Sequence, residues 1–146
     1  MPLAVSGVGL WLLRLLTAAG LAVDAYVHAD LAGRYDLVGG DISQGTLFRL
    51  EAAVASFAAL LILLIANRVT WAIAFLVAAS ALGAILLYFY VDVGRIGPLP
   101  NMYEPLWYSQ KTTATVAEGV AAAAALTGLV VTWQAPRHRR KPSESP

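Results

Sequence analysis

The sequence predicts an all-α integral membrane protein: a four-helix bundle with both termini cytoplasmic and two long extracytoplasmic loops. Three observations lead there. The 146 residues are 59% hydrophobic and 13% charged, whereas soluble domains run near about 45–50% apolar and 25% charged. Four apolar stretches each reach the ~20 residues that let a helix cross the hydrocarbon layer. These stretches are rich in Ala and Leu and lack the alternation of strands. The same composition excludes a nucleic-acid binder driven by a basic surface. With no cysteine, disulfides, thiolate metal sites and covalent haem attachment are excluded as well. A net charge of +1 gives no steering argument.

The first span covers residues 8–27. Met1 to Leu13 lacks the basic residues of a leader peptide, and Arg14 and Asp24 interrupt the apolar run, so it reads as a retained helix. Spans two and three, 47–66 and 69–91, are joined by the turn Ala66-Asn67-Arg68-Val69 and should form a tight hairpin. The fourth covers 112–133. Residues 1–136 therefore form one transmembrane domain, and 137–146 a basic, disordered tail.

Orientation follows the Lys/Arg distribution. Arg68 and the tail cluster Arg137, Arg139, Arg140 and Lys141 mark the cytoplasmic side. The loops 28–46 and 92–111 hold most of the acids, Asp30, Asp36, Asp41, Asp92 and Glu104. The second loop is stiffened by Pro98, Pro100 and Pro105, and its Tyr103, Trp107 and Tyr108 suit the headgroup zone, where it should lie as a cap. Trp11, Trp71 and Trp133 are expected at the cytoplasmic interface.

Ionisable residues in a membrane helix are costly and need individual explanations. Arg14 reads as snorkelling to the inner headgroups, or as a lipid-headgroup or ligand contact inside the bundle. Arg14, Thr17, Leu21, Asp24 and His28 recur at three- and four-residue steps and share one helix face. Asp24 then either ends the polar zone beside His28 or joins a site. Glu51 suits the start of a helix through the macrodipole, and Arg49 lies on the opposite face. Lys111, Thr115, Glu118, Ala122 and Ala125 form a second stripe. Glu118 is too deep for an end effect and should be hydrogen-bonded within the bundle. By depth, Asp24, His28, Arg49, Glu51, Lys111 and Glu118 converge in the outer half and form the candidate ligand-binding set. The pairs Ala79/Gly83 and Ser80/Ala84 read as helix packing.

The segments Tyr26-Val-His28-Ala-Asp30-Leu-Ala-Gly-Arg-Tyr35-Asp36, Ser43-Gln44-Gly45-Thr-Leu-Phe48-Arg49-Leu-Glu51 and Gly97-Pro-Leu-Pro100-Asn-Met-Tyr-Glu104-Pro105-Leu-Trp107-Tyr-Ser-Gln-Lys111 resemble an uncharacterised family of small four-helix actinobacterial integral membrane proteins. The resemblance covers most of residues 10–133 and implies no activity. In size and helix count the chain is also similar to the DoxX-like proteins, some of them tied to quinone-linked redox chemistry. That likeness is architectural and implies no site residue.

A metal site would have to use His28 with the carboxylates Asp24, Glu51 or Glu118, with Met102 as an optional further ligand. No HxxxH or HExxH spacing is present, so neither metal nor cofactor is expected. His138 lies on the tail, on the wrong side. Catalytic and nucleotide motifs are absent. The expected role is a non-enzymatic binding or accessory subunit, with a polar site for a small ligand, a lipid headgroup or a membrane partner. A proton-coupled carrier using Glu118 and a quinone-linked redox subunit are the alternatives. Expected partners are the lipid bilayer and a membrane protein or a second copy of the chain.

Overall fold

The structure, a computed structural model, describes residues 5–135, all-helical apart from turns and loops. The tail cluster and His138 lie outside the described residues. The helices are α1 (Gly7–Ala32), α2 (Gln44–Leu64), α3 (Arg68–Tyr90) and α4 (Ser109–Gln134), with a 3-10 turn at Gly33–Tyr35 after α1. Each is long and apolar enough to cross a membrane. The chain is thus a multi-pass membrane protein by the length and composition of its helices.

Local chemistry sets the helix starts. Ser6, Ser43 and Asn67 accept hydrogen bonds from backbone N–H groups of the first turns of α1, α2 and α3, which otherwise lack partners. Asn67 and Thr70 form a reciprocal capping box at the turn into α3. α1 runs beyond the expected end of its span, because Asp24, His28 and Asp30 interrupt hydropathy but not helix geometry. The first loop is correspondingly shorter.

Two arginines satisfy helix C-termini at the opposite end of the bundle. Arg14 donates to the carbonyls of Ile62, at 3.1 Å, and Leu63. Arg68 donates to the carbonyls of Thr132, Trp133 and Ala135. These contacts put the starts of α1 and α3 beside the ends of α2 and α4, so neighbouring helices are antiparallel. They also revise the reading of Arg14, whose guanidinium caps α2 and stacks on Trp11 at 4.4 Å.

The core is built largely from alanine: Ala55, Ala58, Ala74, Ala78, Ala121 and Ala125 are buried around Leu21, Ile62 and Trp71. Small side chains let backbones approach closely, the usual device where lipid offers no hydrophobic drive for helix association. α1 packs extensively on α2 and α4, and α3 on α4. α2 and α3 meet far less. The expected tight hairpin is therefore corrected: its turn is short, but the helices diverge from it. Leu12, Leu15, Leu60, Leu64, Leu76 and Leu86 point outward, as a lipid-facing surface requires.

Two further expectations are corrected. Trp71 is fully buried and fills the space above Gly128, where a Cβ would stand 2.5 Å from its ring. Of the small-residue pairs on α3, Ser80, Gly83 and Ala84 are exposed. The packing face is instead Ala74, Ala78 and Ala81.

Candidate functional site

The close seam between α1 and α4 sets the site. Gly20 lies against the α4 backbone, so that an added Cβ would be 2.6 Å from the Ala117 carbonyl oxygen. One turn toward the loops, this contact brings Asp24 of α1 opposite Glu118 of α4. Both are fully buried. One ligating atom from each of Asp24, His28 and Glu118 falls within 4.8 Å of the others. Glu51 of α2 borders the same group, its charge facing those of Asp24 and His28.

His28 Nδ1 is 3.1 Å from the Asp24 backbone carbonyl and 2.7 Å from Asp24 Oδ1. Nδ1 thus faces both acceptors of Asp24, and the tautomer and protonation of the ring decide which of them it serves. Apart from that imidazole, no hydrogen-bond donor reaches either carboxylate oxygen of Asp24, either of Glu118 or Oε1 of Glu51. Buried carboxyl groups are seldom left so, because the lost hydration is not recovered.

Above this cluster, toward the loops, the divergence of α2 and α3 leaves a cavity of about 190 Å³. His28 and Glu51 belong to both. Most of its wall is apolar, with Val27, Leu31, Phe48, Ile85 and Ala114 among the lining residues. The edge of Phe48 meets the His28 ring at 5.1 Å and the Tyr35 ring at 5.0 Å. The second loop contributes Met102 and Glu104, and the start of α4 contributes Tyr108 and Lys111.

A polar network closes the loop end. Glu104 Oε1 accepts from the Tyr35 hydroxyl at 2.8 Å, and its Oε2 accepts from Tyr108 at 3.2 Å. Lys111 Nζ lies 2.9 Å from Oε2 and donates to the Glu104 backbone carbonyl at 2.7 Å. Desolvation by burial, then the Tyr35 hydroxyl and the Glu104 charge, push the Tyr108 phenol up from its ordinary 10.0. The loop itself is held by Asp92, which accepts from Gly94 N and Asn101 Nδ2. Gly94 and Gly97 take the positive φ values, 67° and 56°, that side chains disfavour.

The structure thus brings together Asp24, His28, Glu51 and Glu118, and sets Lys111 across the cavity from them. Arg49 is elsewhere: it is exposed and makes a two-point pair with Asp36, at 2.6 and 2.9 Å. Tyr35, Glu104 and Tyr108 were not among the expected site residues. The i,i+4 spacing of Glu104 to Tyr108 and the nearness of Lys111 were the available signals, masked by the reading of that loop as a surface cap. Comparison with family models, curated proteins and solved structures gives no match for this chain.

Proposed function

We propose that this protein is a membrane binding protein for a small ligand with an apolar body and a hydrogen-bonding end, held in the cavity beneath the second loop. The observation that carries it is the cavity itself. Ligand sites are typically concave and mainly apolar, with a few convergent polar groups. Here the polar groups are His28, Glu51, Lys111 and Tyr108. The volume, about 190 Å³, exceeds the roughly 150 Å³ of an engineered cavity that admits benzene. The occupant is therefore about the size of one ring or a short acyl segment.

A quinone-type headgroup is the second reading. It is favoured by the ring-sized volume and by the hydroxyl and ammonium donors at one end. A carrier is less well supported, because Leu21, Ile62, Trp71, Ala121 and Ala125 fill the bundle beyond the acids without an exposed surface.

Both termini are assigned to the cytoplasm, with the ligand site toward the extracytoplasmic side. Arg34, Arg49, Arg95 and Lys111 at the loop end are each paired with a carboxylate. Arg14 and Arg68 mark the other end, together with the basic tail. An enzymatic reporter fused to the C-terminus should be active only in the cytoplasm, and export would reverse the assignment.

The function is tested by mass spectrometry of small molecules retained by protein purified from native membranes in mild detergent. The comparison is Ala81→Phe, which fills the cavity from α3. A near-stoichiometric small molecule in the wild type, lost from the variant, is the expected result. No retained molecule, or equal retention by a folded variant, would overturn the proposal.

A further inference from the structure

We propose that Asp24, His28 and Glu118, with Glu51 at their edge, form a binding site for a divalent transition-metal cation of the Zn²⁺ or Mn²⁺ type. The site lies below the cavity and shares His28 and Glu51 with it.

Charge is the first argument. Three carboxyl groups converge in a membrane interior, and the nearby cation, Lys111, is already engaged by Glu104. One divalent ion with Asp24 and Glu118 ionised, Glu51 protonated and a neutral imidazole sums to zero. It would also coordinate the Glu118 oxygens, which otherwise have no donor.

Geometry is the second. Ligands about 2.0–2.2 Å from a common ion stand roughly 3–4 Å apart around it. Asp24 Oδ1 and His28 Nδ1 are 2.7 Å apart, and the set including Glu118 lies within 4.8 Å. Small side-chain rotations therefore suffice. In the coordinating tautomer Nδ1 carries the lone pair and the proton moves to Nε2.

Ligand chemistry is the third. One imidazole with two or three carboxylates suits borderline to hard divalent ions of the first transition row. It lacks the six to eight oxygens of a calcium site and the sulfur ligands that select copper(I). α1 and α4 supply the three ligands and α2 brings Glu51 to their edge, so the site is held by the fold. His28 and Glu51 also line the cavity and give the ion a route from the loop end.

The test is titration of the purified, metal-stripped full chain in detergent with Zn²⁺ and Mn²⁺ by calorimetry, supported by the visible spectrum of a Co²⁺ form. Saturable 1:1 binding is expected, with d–d bands of a low-coordinate site. Glu118→Gln and His28→Gln should each weaken binding at least tenfold. Asp41→Asn, at an exposed carboxylate outside both sites, should bind as the wild type does. Should a variant fail to fold, X-ray absorption on the Zn²⁺-loaded wild type decides through the presence of one imidazole and oxygen neighbours. Absence of 1:1 binding, binding unchanged in folded variants, or a spectrum without imidazole would overturn the proposal. The first result would assign the acids to proton sharing instead. Cavity occupancy is read separately by the Ala81→Phe comparison, so either proposal can fail alone.

Discussion

Gly20 and Ala121 hold α1 and α4 at backbone distance: a Cβ on Gly20 would stand 2.8 Å from that of Ala121. The nearest obstacle is the Ala117 carbonyl oxygen, at 2.6 Å, which cannot move aside as a flexible side chain could. Glu118 follows Ala117 directly, and Asp24 is one turn beyond Gly20 on the same face. The pairing of the two acids is therefore a consequence of the glycine seam.

Gly20→Val is expected to force α1 from α4 and destabilise the fold by about 1–3 kcal/mol, the usual cost of overpacking. Gly119→Ala, on α4, meets nothing within 4 Å and should be near neutral. Thermal unfolding of both variants in the same detergent checks this. Equal stability of the two would mean that the seam does not set the interhelix distance.

How much of this was legible in the sequence depends on the kind of interaction. The four spans follow from hydropathy because lipid imposes a length on every crossing helix. The meeting of Asp24, His28 and Glu118 follows from periodicity: a polar stripe on a membrane helix must face protein. Arg14 misled because its partners are backbone carbonyls of α2, which leave no trace in residue type. Arg49 misled because depth was taken for proximity, and depth says nothing of direction around the bundle. Trp71 looked interfacial by position, but Gly128 opposite leaves room for its ring, a match between two distant residues. The divergence of α2 and α3 was also invisible. A short turn fixes where two helices begin, not the angle at which they part.

The extremes of pH should report two groups at the loop end, one exposed and one partly buried, with opposite signs. Asp36 is held below its ordinary 3.8, mainly by the hydrogen bonds from Arg49. Its contribution to stability is present above 3.8 and disappears as pH falls through the lower folded value. The difference in melting temperature between wild type and Asp36→Asn should stay constant near neutrality and close below 3.8. Tyr108 is raised above its ordinary 10.0 by burial, so its contribution is complete below 10.0 and declines as pH rises toward the folded value. Tyr108→Phe should flatten that alkaline decline. A wild-type and variant pair that ran parallel across either range would remove the corresponding interaction from the account.

The remaining prediction concerns Glu104 and Lys111, which lock the second loop over the cavity. The Lys111 side chain is 10% exposed and that of Glu104 30%, so the pair is partly desolvated. Glu104→Gln replaces a charge that accepts from Tyr35, Tyr108 and Lys111 by an amide whose NH₂ faces donors. It should cost about 1–3 kcal/mol, the range for leaving polar groups unsatisfied, with solvent at Glu104 keeping it toward the lower end. Lys111→Met should cost less, since Glu104 keeps its two tyrosine donors. Because the second substitution removes the cation that the first leaves unmatched, the double variant should be more stable than the sum of the singles implies. Residues in one such network typically couple by about 0.5–3 kcal/mol. A double-mutant cycle on unfolding free energies measures this directly. Strict additivity would mean that the loop is held by Tyr35, Tyr108 and the Phe89–Trp107 ring contact, 4.5 Å between centroids, and not by the ion pair.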